Sequence, residues 1–127
     1  MSHSVEYTDE FEAWWNGLTL REQTDSAKVV DLLVARGATL GSPYSSQVKS
    51  SRHSHMRELR IQSGGRPIRI FYAFDPRRTA ILLIGGRKIE QDRFYREYVR
   101  RADAIYDEYV RQLRREGLLE LERGWER

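Results

Sequence analysis

The order of apolar and polar residues first predicts two helices in the N-terminal third of the chain. In the first, apolar side chains recur at the i, i+3, i+4 and i+7 positions that form one face of a helix. These residues are Phe11, Trp14, Trp15 and Leu18. Thr8 or Asp9 is its expected N-cap. A second helix is expected from Thr19, because Thr19 and Glu22 have the spacing of a capping box. Glycine tolerates the left-handed conformation at a helix end, so Gly37 is the expected stop.

The pattern then changes to short apolar runs separated by turn residues, which is typical of strands. A first short strand is expected at Val5–Tyr7, and the Gly-, Pro- and Ser-rich residues 37–52 are expected to form a loop. Three further strands are predicted, at His55–Gln62, Ile68–Asp75 and Thr79–Gly86. Gly-Gly and Asp-Pro turns separate them, so they are expected to form an antiparallel meander.

A long helix is predicted after the meander, from Gln91 to Glu116, and Gly117 is expected to end it. Its apolar residues recur every three or four positions, and arginines occupy the other side. Two helices, a meander and a final helix predict an α+β fold, with a small antiparallel sheet of three or four strands packed against helices. We assign residues 1–118 to one domain and residues 119–127 to a C-terminal tail.

Charge divides the chain more sharply than its net value of +3 indicates. Residues 1–48 carry three Lys/Arg and seven Asp/Glu, whereas residues 49–78 carry eight Lys/Arg and two Asp/Glu. Such a basic middle segment is the electrostatic signature expected for a polyanion partner. There is no cysteine, which excludes thiol chemistry. No apolar run approaches the roughly 20 residues that span a bilayer, so we expect a cytoplasmic protein without a membrane partner.

The basic residues of the meander are candidates for phosphate binding. Arg57 and Arg60 lie on one predicted strand, and with a period of two their side chains point to opposite faces. Arg69 lies within an apolar strand, where a guanidinium needs an acid partner or a site, because burying it alone is costly. Lys88 follows the last strand, and Tyr95 begins the long helix.

A cluster of Arg, Lys and Tyr suits RNA cleavage by the RNA's own 2′-OH. Arginines stabilise the charge that develops on the phosphate, and a Lys, Tyr or His with a shifted pKa moves protons. Neither a metal nor another cofactor is required. Structural roles remain open for each residue: the arginines could pair with Glu58, Asp75 or helix acids, Lys88 could be a solvated charge, and Tyr95 could serve packing alone.

Three stretches carry a resemblance to a known family: HMRELR, GGRPIRIFYAFDPRRTAILLIGGRK and RFYREYVRRADAIYDEYVRQLRREGL. Over roughly residues 5–118 the chain resembles the phage-derived HigB-type toxins of the RelE/ParE superfamily. The resemblance implies the RelE-like fold and the toxin of a type II toxin–antitoxin module. It also implies an endoribonuclease that cleaves mRNA, commonly on the ribosome. The implied partner is a cognate antitoxin, expected to carry a helix-turn-helix through which the pair reaches promoter DNA.

The resemblance also suggests roles for individual residues. The predicted catalytic residues are Arg60, Arg69, Lys88 and Tyr95. The predicted RNA-binding residues are Arg57, Arg87, His53 and His55. Two other functions remain open, namely a ParE-like toxin that acts on DNA gyrase without cutting RNA, and an inactive homologue that only binds its antitoxin. Gyrase-directed members generally lack a full set of basic site residues, so the set found here favours the ribonuclease.

Overall fold

The computed structural model describes residues 3–119, which form three helices and five strands. The strands are β1 (Val5–Tyr7), β2 (Ser45–Gln47), β3 (Arg57–Ser63), β4 (Arg66–Phe74) and β5 (Ala80–Arg87). The helices are α1 (Asp9–Asn16), α2 (Leu20–Arg36) and α3 (Gln91–Arg115), and a short 3-10 turn, Gly37–Thr39, follows α2. The predicted α+β class is confirmed.

The five strands form one sheet in the order β1-β5-β4-β3-β2, and all neighbours are antiparallel except β1 and β5, which are parallel. Side chains alternate between the faces of each strand, so β4 contributes to two separate cores. Ile70 and Tyr72 pack in the core beneath α1 and α2, whereas Phe71 and Ala73 pack in the core beneath α3. We call these surfaces the α1/α2 face and the α3 face.

The helix ends follow the local sequence signals. Thr8 Oγ1 accepts a hydrogen bond from the Phe11 N–H at 3.1 Å, and Thr19 and Glu22 form the complete capping box. At the end of α3, Gly117 has a φ of 75°, a conformation that suits glycine. Like the other helices formed by residues 3–119, α3 lacks the long apolar run needed to cross a membrane.

Two features of the sheet differ from the sequence-based expectation. The loop predicted for residues 37–52 contains β2, whose serine-rich sequence lacks the apolar alternation that marks a strand. The sheet therefore has five strands instead of three or four. In addition, β1 is not part of the meander but joins its far edge in parallel with β5. The predicted tail falls almost wholly on residues 120–127, which lie outside the described residues.

Gly85 and Gly86 lie inside β5, which continues to Arg87, one residue beyond the predicted end of the strand at Gly86. Both are packed by aromatic rings on opposite faces of the sheet. A Cβ atom on Gly85 would lie 2.4 Å from the Trp14 ring of α1, and one on Gly86 would lie 2.8 Å from the Tyr98 ring of α3. The two glycines therefore allow the helices on both faces to approach the backbone of β5 closely.

Candidate active site

A buried acid, a buried arginine and a tyrosine meet on the α3 face. Glu58 on β3 and Arg69 on β4 have side chains only 7% and 6% exposed, and Arg69 Nε lies 3.6 Å from Glu58 Oε1. The Tyr95 hydroxyl, from the first turns of α3, donates a 2.5 Å hydrogen bond to the same Glu58 oxygen. It also accepts a 3.4 Å hydrogen bond from Arg69 Nε. We call these three residues the site cluster.

Two further cations flank the site cluster. Arg60 is the cross-strand partner of Arg69, and its Nε lies 4.0 Å from Glu58 Oε2. Its side chain is 44% exposed, so it remains available to solvent. Lys88 follows β5, and its Nζ lies 6.0 Å from the centre of the Tyr95 ring. Glu58 therefore faces three cations, and its second oxygen also accepts a hydrogen bond from Ser46 of β2.

Burial and the neighbouring charges shift the pKa of Lys88 and of Tyr95 in opposite directions. Burial, together with the positive charges of Arg69 and Arg60, lowers the pKa of Lys88. Burial and the hydrogen bond to Glu58 raise the pKa of Tyr95, although Arg69 opposes this change. At neutral pH Tyr95 is therefore a phenol that donates a hydrogen bond and not a phenolate base. Lys88 holds its proton less tightly than an ordinary lysine.

The site cluster lies between two surface grooves. The larger, which we call the α2 groove, has a volume of about 730 Å³ and runs between α2 and the edge of β3, with Lys28, Tyr44, Arg60 and Arg69 among its lining residues. The smaller, the α3 groove, has a volume of about 310 Å³, and its lining residues include Arg52, Tyr95, Arg96 and Arg100. Because Arg69 belongs to one groove and Tyr95 to the other, the two grooves meet at the site cluster.

Two of the predicted RNA-binding arginines lie away from this cluster. Arg57 Nε donates to Ser45 Oγ at 3.0 Å, and its cross-strand partner Tyr72 belongs to the α1/α2 core. Arg57 is therefore on the opposite face from Arg60, as strand alternation predicts. Arg87 makes two 2.7 Å hydrogen bonds to the carboxylate of Glu22 on α2. The structure thus gives Arg57 and Arg87 partners outside the site cluster.

The two predicted histidines lie against the middle of α3. His53 contacts Asp107 at 2.9 Å, and His55 contacts the Tyr106 hydroxyl at 3.2 Å. Burial and the neighbouring His53 lower the pKa of His55. Tyr106 follows Tyr95 by eleven residues, which is about 16 Å along a helix axis. The histidines are thus well separated from the site cluster, and their predicted role in RNA binding is not supported by proximity.

Glu58 is the central residue that sequence reasoning did not assign to the site. It was considered only as a salt-bridge partner, although the signal was present: an acid between two arginines on a strand, with another arginine on the next strand. Among residues 3–119, no group of three or more His, Cys, Asp or Glu side chains is placed to hold a metal ion.

Comparison with known proteins identifies relatives of this chain. Residues 13–107 match the family model described as phage derived protein Gp49-like. The chain is 38% identical over 114 residues to the Mycobacterium tuberculosis H37Rv protein named "Putative toxin HigB2", and 43% identical over 77 residues to "Putative toxin HigB3" from the same strain. These alignments cover 86% and 61% of this chain but only 57% and 66% of the relatives, so the chain spans about three fifths of their length.

Solved structures share the fold at low sequence identity. An arginine-to-alanine double mutant of E. coli toxin RelE in the free state superposes with a TM-score of 0.58 at 13% identity, covering 80% of this chain and 98% of that one. The archaeal RelE in its RelE–RelB complex from Pyrococcus horikoshii OT3 gives a TM-score of 0.51 at 11% identity, covering 69% and 97%. The expected RelE-like fold is therefore confirmed.

Proposed function

Because this chain belongs to the phage-derived Gp49-like family, we propose that it is the toxin of a type II toxin–antitoxin system and cleaves mRNA as an endoribonuclease. The relatives named as toxins support the first part. The observation that carries the second part is the site cluster with its flanking cations. A buried acid orients Arg69 and Tyr95, while Arg60 and Lys88 add positive charge that no second acid within residues 3–119 neutralises.

The proposed reaction is an internal transfer of the phosphate ester. The 2′-oxygen gives its proton to a water molecule and attacks the neighbouring phosphorus, the bond from phosphorus to the 5′-oxygen breaks, and that oxygen takes up a proton from Lys88. The products are a 2′,3′-cyclic phosphate and a 5′-hydroxyl. Arg60 and Arg69 stabilise the additional negative charge on the phosphate. These steps need no metal, because the site's own side chains supply both charge and protons.

The other groups of the site donate a proton or position the substrate. Lys88, with its lowered pKa, is suited to give a proton to the leaving 5′-oxygen. Tyr95 positions Arg69 and the phosphate through its hydroxyl, which its raised pKa keeps protonated. Glu58 anchors both residues. The partners that we propose are a cognate antitoxin, which carries a helix-turn-helix and links the toxin to promoter DNA, and the mRNA on the ribosome.

A role for the ribosome is favoured by the modest net charge of +3. Tight binding to RNA alone depends on neutralising many phosphates, and the acids of this chain offset most of its positive charge. Ribosomal contacts would supply the missing affinity and orient the mRNA.

The test is induced expression followed by primer extension on total mRNA. Wild type is expected to arrest growth and produce new 5′ ends, whereas Arg60→Ala/Lys88→Ala is expected to do neither. This pair is chosen because both side chains are at least partly exposed and their loss leaves Glu58 paired with Arg69. Arg101→Ala/Arg111→Ala removes the same charge from exposed, ion-paired positions on α3, and should behave like wild type.

Each other outcome points to a different function. Growth arrest without new mRNA ends would reject the ribonuclease and favour a toxin that acts on DNA gyrase or a similar target. The absence of arrest with folded wild-type protein would favour an inactive homologue that regulates its promoter. Cleavage by the Arg60→Ala/Lys88→Ala variant at the wild-type rate would reject the site assignment alone.

A further inference from the structure

We propose that the α2 groove and the α3 groove form one continuous track for single-stranded RNA, with the scissile phosphate held where they meet. This inference rests on the proposed ribonuclease function and specifies how its substrate is bound. The junction is direct, because Arg69 of the α2 groove donates to the Tyr95 hydroxyl of the α3 groove at 3.4 Å. A strand that passes the site cluster therefore enters by one groove and leaves by the other.

The α3 groove carries arginines that the protein itself does not neutralise. Arg96 and Arg100 are both exposed, stand four residues apart on α3, and have no carboxylate partner within residues 3–119. Two other α3 arginines are paired, Arg101 with Glu97 at 3.5 Å and Arg111 with Glu108 at 2.8 Å. Arg93 also has no carboxylate partner within residues 3–119, but it lines a different groove. Arg96 and Arg100 are thus unpaired cations on the groove that leads to Tyr95, which is the arrangement expected for phosphate contacts.

The acids near the α3 groove are already occupied. Asp103 accepts hydrogen bonds from the Ser51 hydroxyl and the Arg52 N–H, and Asp107 pairs with Arg52. They hold the loop between β2 and β3 against α3, and neither forms an ion pair with Arg96 or Arg100. Asp103 keeps its negative charge, but the arginines that line the groove, Arg52, Arg96 and Arg100, outnumber this one lining carboxylate.

The α2 groove combines a cation with an exposed aromatic ring. Lys28 is exposed and has no carboxylate partner in the described part of the chain, because the nearby Asp25 accepts from Ser63 at 2.7 Å and lies 3.7 Å from Arg21. Tyr44 is 39% exposed, and its backbone oxygen accepts a 2.8 Å hydrogen bond from the Arg60 N–H. That bond holds the backbone of Tyr44 next to that of Arg60, and both residues line the groove.

An aromatic ring beside phosphate-binding cations is the arrangement by which proteins bind unpaired bases. Base–aromatic stacking tolerates any base, because each base has a π face. The α2 groove is therefore suited to hold a nucleotide flanking the scissile phosphate, with its base on Tyr44 and its phosphate near Lys28 and Arg60. The α3 groove, which has arginines but less open volume, is suited to follow the backbone on the other side.

The test measures the binding of a fluorescein-labelled, 2′-O-methylated oligonucleotide of about twelve nucleotides, a length within the range of known single-strand sites. Methylation removes the nucleophile, so binding is measured without cleavage. Fluorescence anisotropy is recorded over a series of salt concentrations. Arg96→Ala/Arg100→Ala should weaken binding and reduce the slope of log K against log salt by about 1.4, since each phosphate contact to a single strand contributes about 0.7.

The α2 groove is tested by its aromatic ring and its lysine separately. Tyr44→Ala should weaken binding about tenfold without changing the salt slope, because stacking releases no counterions. Tyr44→Phe is the matched control and should retain wild-type affinity. Lys28→Ala should reduce the slope by about 0.7. Arg101→Ala is the control for α3, and it should leave both affinity and slope within error of wild type.

Two results would overturn the track. One is an Arg96→Ala/Arg100→Ala variant that behaves like Arg101→Ala, and the other is a Tyr44→Ala variant that binds as tightly as wild type. Wild-type protein that binds no oligonucleotide at low salt would also reject it. The binding test can fail or succeed independently of the mRNA-cleavage test of the proposed function. Oligonucleotide binding with the expected losses but no mRNA cleavage in cells would support the track and reject the ribonuclease.

Discussion

Two clusters of arginine, carboxylate and tyrosine connect the sheet to α3, and they differ in how their charges balance. The site cluster uses Tyr95, and the second uses Tyr109, fourteen residues further along α3 and about 21 Å away along the helix axis. In the second, Tyr109 donates to Glu6 at 2.8 Å, and Arg77 lies 2.9 Å from Glu6 and 2.7 Å from Asp75. We call it the closed cluster.

The closed cluster has two acids for one arginine, whereas the single acid of the site cluster faces Arg69 and the two flanking cations Arg60 and Lys88. Asp75 has a fully buried side chain and also accepts the backbone N–H groups of Arg77 and Thr79, so its charge is satisfied from several sides. In the closed cluster no cation is left over for a ligand. We therefore expect an arginine that meets an α3 tyrosine to form an anion site only where cations outnumber the nearby acids.

The largest expected effect is the loss of Asp75 from the closed cluster. Asp75→Ala should lower the free energy of unfolding by about 3 kcal/mol, because it leaves the Nε of the partly buried Arg77 and two backbone N–H groups without their acceptor, and Arg77 then has only Glu6 as its acid partner. Urea denaturation followed by tryptophan fluorescence measures this loss. Asp31→Ala, which removes an exposed acid on α2, is the control and should change little. A loss for Asp75→Ala equal to that of the control would contradict a structural role.

The two tyrosines provide a matched pair of substitutions. Tyr95→Phe removes a hydroxyl donor from Glu58, which is only 7% exposed, and should cost about 2 kcal/mol of unfolding free energy. Tyr109→Phe removes a donor from Glu6, whose side chain is 43% exposed and can bind water instead, so its loss should stay below about 1 kcal/mol. Equal losses in urea denaturation would show that burial of the acceptor does not distinguish the clusters.

Much of the fold could be predicted because local signals and burial agree with it. The capping box at Thr19, the turn glycines and the apolar strands each specify an element without distant partners. The strand β2 could not be predicted, since Ser45–Gln47 has no apolar alternation and is extended only because β3 pairs with it. The parallel pairing of β1 with β5 is also determined by tertiary structure, because a strand of three residues does not show in its sequence which strand it will pair with.

The site was predicted only in part, for a related reason. Strand alternation correctly places Arg57 and Arg60 on opposite faces of the sheet. The sequence does not show, however, which acid forms an ion pair with which cation. Arg87 and Lys88 are adjacent in sequence, and both were assigned to the site. The structure pairs Arg87 with Glu22, 65 residues away, and leaves Lys88 beside Tyr95. Whether an arginine is neutralised by an acid so far away in sequence depends on how the helices pack on the sheet. Composition and residue spacing do not specify that packing.

The ion pair between Arg87 and Glu22 is expected to have a moderate effect that depends on pH. The hydrogen bonds from Arg87 and from the Thr19 backbone lower the pKa of Glu22 from 4.5 to about 2. Its stabilisation is therefore present above pH 4.5 and is lost as the pH falls towards 2. Glu22→Gln should lower the free energy of unfolding by about 1 kcal/mol at neutral pH, since Arg87 is 43% exposed and the pair is screened by solvent.

The measurement is urea denaturation of wild type and Glu22→Gln at several pH values. The difference between the two proteins should be constant above pH 4.5 and should close between pH 4.5 and about 2. A difference that persists unchanged at the lowest pH would mean that Glu22 stabilises the fold without its charge. Glu10→Gln, an exposed acid on α1, is a control of the same charge change.

The smallest effect on stability is expected at Lys88, where the effect on function should be complete. Burial and the charges of Arg69 and Arg60 lower the pKa of Lys88, so folding disfavours its charged form. Lys88→Gln should therefore raise the free energy of unfolding by roughly 0.5 kcal/mol at neutral pH. This gain should fade as the pH rises through the lowered pKa towards 10.5, because above that value the lysine is neutral in both states. A Lys88→Gln variant that is less stable than wild type at neutral pH would show that Lys88 supports the fold, whereas a more stable variant that no longer cleaves mRNA would mark it as a residue kept for function.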